Sequence, residues 1–230
     1  ELEKQINDFS KEKVIEEVAY TWFNRFTALQ YMDRNGFNDV QIILPLVGNT
    51  RPQILSDAIG GKFDNNFISE NTQIIVSALL EGRSTSSDPE KEAYRLLIVA
   101  VCNKLHAIMP FLFERISDYT ELLMPDDLLS KSSIITKMRG VMTIDNCKDA
   151  EVIGWLYQFY ISDKKDEVFT ALKNKKRIKP QDIPAATQLF TPNWIVKYLI
   201  ENSLGRLWML NNPNSNLIKK MSFYIAPFES

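Results

Sequence analysis

Gln188, Leu189, Phe190, Thr191 and Pro192 carry the most specific chemistry in the chain. They set a hydroxyl and free backbone amides ahead of an apolar helix running through Trp194, Ile195, Tyr198, Leu199 and Leu207. A helix N-terminus carries about half a unit of positive charge and unpaired N–H groups, so it favours an anionic carboxylate. The same residues also make an ordinary helix start, with Thr191 as cap and Pro192 at the first helical position. Local spacing leaves both readings open.

A second group lies just upstream, where Lys173, Lys175, Lys176, Arg177 and Lys179 bring five positive charges into seven residues. Such a run can hold the phosphates of a duplex without reading its bases, or it can be a solvated linker. The chain as a whole has 27 Lys and Arg against 29 Asp and Glu, a formal charge of −2. No global field therefore draws it to DNA or to a membrane surface, and any nucleic-acid contact must be local.

The remaining chemical candidates fall away on their surroundings. His106 lies in an apolar helical segment with no visible partner and receives no catalytic role. Gly60 and Gly61 lead into Lys62 and Phe63 instead of a helix start, so no phosphate loop is present and nucleotide hydrolysis is unsupported. Asp126 and Asp127, beside Pro125, read as a helix cap and not as an acid–base pair. Cys102 and Cys147 sit in separate apolar segments, which favours free thiols, and no metal-ligand spacing occurs.

The elements that must position these residues are expected to be mainly α-helical. With 230 residues, 45% of them hydrophobic, there is material for one large domain or two modest ones. Val14, Ile15, Val18, Trp22, Phe26 and Leu29 recur at steps of three and four, which predicts one face of a long helix capped by Ser10 and ending near Gly36. Residues 41–47 are β-branched and short, a strand or an extended buried connection. A turn through Gly60, Gly61, Asn65 and Asn66 precedes a helix over 71–80. The loop at 82–89 hands over at Asp88, Pro89 and Glu90 to a core helix over 94–109. Further helices are expected over 126–138, closed by Gly140, over 149–160 and over 166–172.

The apolar run 96–113 is interrupted by Asn103, Lys104 and His106, which argues against a membrane span. The first residues lack the basic start and apolar middle of a signal peptide, so a cytoplasmic chain is expected. Pro180 and Pro184 punctuate the chain and place a boundary near 185. A polar loop over 211–216 follows the last helix, and 221–226 could enter a sheet.

Three stretches, AYTWFNRF at 19–26, VIGWLYQFY at 152–160 and the segment 183–208, resemble the PglX family. These are the adenine-specific DNA methyltransferases of BREX phage-defence systems, related to type IIG restriction-modification enzymes. The resemblance runs from about residue 14 to 228. It implies that Phe190, Thr191, Pro192 and Trp194 match the motif preceding the methyltransferase fold, which helps enclose the methionine end of S-adenosylmethionine. The family then needs an acidic-Pro-x-x-Gly-x-Gly loop and an Asn-Pro-Pro-aromatic tetrapeptide for the flipped adenine. Neither occurs: Asn211, Asn212, Pro213 and Asn214 lack the second proline and the aromatic, and read as a loop.

The resemblance thus implies a part of such an enzyme that holds no catalytic residues. Its expected layout is a helical domain over 1–150, a helical connector with the basic linker over 151–185, and the beginning of the methyltransferase domain over 186–230. In fold terms this is an irregular helical bundle followed by the start of an incomplete α/β domain. S-adenosylmethionine and DNA would serve the full-length enzyme, and this stretch alone is expected to bind the cofactor very weakly. The alternative is an interaction module docking other BREX proteins. An open patch of Trp155, Tyr157 and Tyr160 would favour docking, and their burial would favour scaffolding.

Overall fold

The computed structural model of the chain describes residues 2–110, 113, 116 and 119–226. Positions 111 and 112 of the apolar run, and 227 and 228 at the end of the resemblance, lie outside the described residues. Among the described residues the fold is mainly α-helical and holds no strand; one isolated bridge joins Pro45 and Pro52. No helix among them is long and apolar enough to cross a membrane. The chain divides into two compact units, 1–148 and 149–230.

The first unit contains α1 (Leu2–Phe9), α2 (Lys11–Arg34), α3 (Gln53–Ile59), α4 (Glu70–Leu80), α5 (Pro89–His106), α6 (Tyr119–Leu122) and α7 (Ile134–Val141). Ser10, Ser69, Asp88 and Ser133 cap α2, α4, α5 and α7, each side chain accepting the N–H three residues on. Val14, Val18, Trp22, Phe26 and Leu29 form the buried stripe of α2, and Tyr94, Leu97, Ile98, Val101 and Leu105 form the buried face of α5. Ile15 was expected on this stripe but is 49% exposed. One residue is a 100° step around the helix, and beside Val14 that step leads toward solvent.

Residues 42–44 form a series of bends, neither a strand nor an extended run, and Ile42, Ile43 and Leu44 are buried without joining a sheet. The N–H groups of Ile42, Ile43 and Leu44 all donate to the carboxylate of Asp33, at 3.1, 2.6 and 3.0 Å, and Asn38 adds a fourth hydrogen bond at 3.0 Å. Their carbonyls accept from the Tyr94 hydroxyl, the Arg139 guanidinium and the Gln53 N–H. Side chains and helix starts thus satisfy backbone groups that a sheet would otherwise have to pair. Burial pushes the Asp33 carboxyl up from its ordinary range, and the bonds from Asn38, Ile42, Ile43 and Leu44 pull it back.

The helix expected over 126–138 begins only at Ile134, and Gly140 lies inside it. Asp126 and Asp127 therefore do not cap it. Asp127 accepts from the N–H and hydroxyl of Ser130, and Asp126 faces Arg95 at 3.2 Å. The serines at 130, 132 and 133 bond to neighbouring groups in a turn, which competes with helix formation until Ser133 supplies the cap.

The second unit contains α8 (Glu151–Tyr160), α9 (Ser162–Lys173), α10 (Ile183–Thr187), α11 (Asn193–Ile200) and α12 (Arg206–Asn211). A π turn, Glu201–Gly205, joins α11 to α12. The segment 221–226 forms no strand. Glu201 accepts the Phe223 N–H at 2.5 Å, while Asn202 donates to the Phe223 carbonyl and accepts from the Ile225 N–H at 2.7 and 2.8 Å. Two side chains of the π turn thus fill the positions that a neighbouring strand would take.

Candidate functional site

The two stretches of the second unit that stood out in the sequence, 152–160 and 188–194, meet in space. Glu151, Gly154, Tyr157 and Gln158 follow one another at steps of three, three and one, which places them along one side of α8. Phe190 lies on that side. Its ring packs so closely over Gly154 that a Cβ there would stand 2.7 Å from Cδ1 and 2.9 Å from Cγ. The Tyr157 ring meets Phe190 edge-on at 5.8 Å, and Gln158 Nε2 donates to the Phe190 carbonyl at 3.4 Å. The Glu151 carboxylate accepts the backbone N–H of Asn193.

This geometry corrects the expected helix start. Pro192 occupies the cap position with extended backbone angles and caps nothing with its own side chain, and α11 begins at Asn193. Thr191 is exposed and is not the cap, and Pro192 is not the first helical residue. The positive end of α11 holds an anion, as such ends favour, but that anion is the chain's own Glu151. Phe190 remains 39% exposed and Trp194 57% exposed. The ring, the Thr191 hydroxyl and the indole thus stay accessible beside a turn that α8 holds in place.

Glu151, Gly154 and Gln158 were not picked out from the sequence. A signal for Gly154 was present. Glycine inside a helix costs about 1 kcal/mol relative to alanine, and here it interrupts an otherwise apolar helix. A close neighbour is the usual reason for tolerating that cost.

The basic run sits at the end of α9. Lys173 is the last helical residue, Lys175 adopts a left-handed conformation with φ 59°, and the N–H groups of Lys175 and Lys176 close on the carbonyls of Leu172 and Ala171. This is a helix-stop arrangement in which glycine is the commonest residue. Lys173, Lys175, Lys176, Arg177 and Lys179 are all exposed. They are not equivalent, because Lys176 lines a shallow groove together with Asp163, Asp166 and Glu167.

Elsewhere the side chains serve structure. The His106 Nδ1–H donates to the Phe113 carbonyl at 2.8 Å. Among the described residues no group of His, Cys, Asp and Glu could hold a metal ion. Cys102 and Cys147 are free and buried. Burial pushes the Cys102 thiol up to about 12, with Arg25 opposing, so at pH 8 almost none of it is thiolate. Iodoacetamide at pH 8 is expected to label Cys102 roughly a thousandfold more slowly in the folded chain than in urea, because only thiolate reacts. Equal rates in mass-spectrometric time courses would contradict this burial.

The chain is 40% identical to an adenine-specific methyltransferase, BrxX, of Escherichia coli O9:H4 (strain HS), over 99% of this chain and 18% of that protein. It is 37% identical to an adenine-specific methyltransferase, PglX, of Lacticaseibacillus casei (strain Zhang), over 85% of this chain and 16% of that protein. The chain thus spans less than a fifth of the length of either relative. No family model matches it.

Proposed function

We infer that this chain, a stretch related to the BrxX and PglX adenine-specific methyltransferases, is the helical part of an S-adenosylmethionine-dependent DNA adenine methyltransferase. The parent enzyme would serve phage defence or restriction-modification. Phe190, Thr191, Pro192 and Trp194 would border its cofactor cleft. Residues 186–230 then begin the methyltransferase domain, after a helical domain over 1–150 and a connector with the basic linker over 151–185.

The observation that carries the reading is the grip of α8 on the turn at 190–193. Two of the stretches on which the family resemblance rests pack on each other, while the Phe190 ring, the Thr191 hydroxyl and Trp194 stay accessible. That combination suits a rigid rim facing a ligand. Because Glu151 already accepts the Asn193 N–H, the ring and the hydroxyl are the contacts left for the methionine end of the cofactor. S-adenosylmethionine supplies the methyl group in such an enzyme; these residues would only bind and orient it. Methylating a flipped adenine also needs hydrogen bonds to its Watson–Crick edge and a stacked aromatic in a closed pocket, so no residue of this chain is assigned a catalytic role.

The test is made in the full-length enzyme. Phe190→Ala combined with Thr191→Ala is expected to weaken S-adenosylmethionine binding about tenfold, ~1.4 kcal/mol, while circular dichroism shows the protein still folded. Wild-type affinity in calorimetry would reduce the turn to a helix start.

A second reading, docking of other defence proteins, draws on the open aromatics of α8. Of the three aromatics expected in an open patch, Trp155 and Tyr160 are exposed, at 47% and 36%, whereas Tyr157 packs on Phe190; Phe159 beside them is 77% exposed. Apolar residues of this size left open suit a surface that another polypeptide covers. A Trp155→Ala, Phe159→Ala variant of the full-length enzyme that kept its cofactor affinity but lost its complex with other BREX proteins would favour docking.

A further inference from the structure

We propose that Gly154 is a positioning residue for the cofactor-side turn: its missing side chain sets where the Phe190 ring sits, and through that ring it sets cofactor affinity. The proposal rests on the reading above that Phe190 borders the cofactor cleft. Gly154 is buried in the middle of α8 and needs no unusual backbone angle. Helix propensity alone would therefore prefer alanine at this position. What opposes alanine is the ring, whose Cδ1, Cγ and Cε1 would lie 2.7, 2.9 and 3.2 Å from an added Cβ.

Separations under 3 Å between carbon atoms are repulsive, so one partner must move. The ring has little freedom to absorb the displacement. Tyr157 meets it edge-on from the same helix, Gln158 bonds its backbone carbonyl, and three residues on, Asn193 is tied to Glu151. A methyl group at 154 would push the exposed edge of Phe190, and the turn that carries Thr191, away from α8. Gly154 itself lies beneath the ring and would not touch the ligand.

The experiment is a double-mutant cycle in the full-length enzyme, with S-adenosylmethionine as the probe in binding and an adenine-containing duplex as substrate. Gly154→Ala is expected to raise the Kd and KM for S-adenosylmethionine about tenfold, while kcat at saturating cofactor stays within about twofold. In the Phe190→Ala background the same substitution is expected to cost no further affinity. Its effect on the melting temperature there should also change sign, becoming stabilising, because only helix propensity remains. Should Gly154→Ala alone fail to fold, recovery of a folded enzyme by adding Phe190→Ala would report the same coupling.

Two results would overturn the inference while leaving the reading of the site intact. One is unchanged cofactor affinity in Gly154→Ala when Phe190→Ala weakens it. The other is an equal loss from Gly154→Ala with and without the Phe190 ring. Unchanged affinity in Phe190→Ala itself would remove both the reading and the inference.

Discussion

Asp33→Asn is expected to destabilise the 1–148 unit by about 3 kcal/mol, the upper end of what an unsatisfied buried group costs. The reason lies in the number and type of its partners. Oδ1 accepts from Asn38 and Ile42, and Oδ2 accepts from Ile43 and Leu44, so every group facing this side chain is a donor. An asparagine keeps one oxygen but turns the other position into an NH2, and either orientation sets that NH2 against an N–H. Ile42 and Ile43 are both 1% exposed, which leaves no route for water to take over. Hydrogen exchange should show the loss first at the amides of 42–44 and at the C-terminal end of α2, followed by a lower urea midpoint. An unfolding free energy within about 0.5 kcal/mol of wild type would mean that the Asp33 bonds do not hold this connection.

That cluster also explains which parts of the fold were legible in the sequence. The stripe from Val14 to Leu29 was legible because its signal is repeated within one element, at the spacing that a helix dictates. The caps at Ser10 and Asp88 were legible because donor and acceptor lie three residues apart. The connection at 41–44 could not be assigned, since a β-branched run looks alike whether a strand or a carboxylate satisfies it. The deciding residue, Asp33, sits on the preceding helix. The serine-rich turn at 130–133 hid the late start of α7 for a related reason: its side chains bond to neighbours whose geometry the spacing does not reveal.

The candidate site was half legible. Phe190, Thr191, Pro192 and Trp194 stood out by type and by family resemblance, and so did the aromatic string of α8. Their meeting depends on Gly154 against Phe190, thirty-six positions apart, and on Glu151 against Asn193, forty-two apart. Neither pairing follows from local spacing. The internal carboxylate was missed because a glutamate in the first turn of a helix is unremarkable by itself, and its partner starts a different helix.

The basic run carries the second large effect, and the structure divides it unevenly. Phosphates held by Lys173, Lys175, Lys176, Arg177 and Lys179 would each contribute about −0.9 to the slope of log affinity against log salt. Lys176, however, shares its groove with Asp163, Asp166 and Glu167, whose charges would repel a phosphate. We therefore expect the other four to make the contacts. In the full-length enzyme, replacing Lys173, Lys175, Arg177 and Lys179 with alanine should flatten the slope by roughly 3 to 4 and weaken duplex binding most at low salt. Lys176→Ala should leave the slope nearly unchanged. The loss should be the same for duplexes of different sequence, because phosphate contacts position a duplex without reading it. Fluorescence anisotropy of a short duplex across a salt series checks all three statements. An unchanged slope in the fourfold variant would return the run to solvent as a linker. A slope that moves as much for Lys176→Ala as for any other single substitution would show that the acidic side of α9 does not screen it.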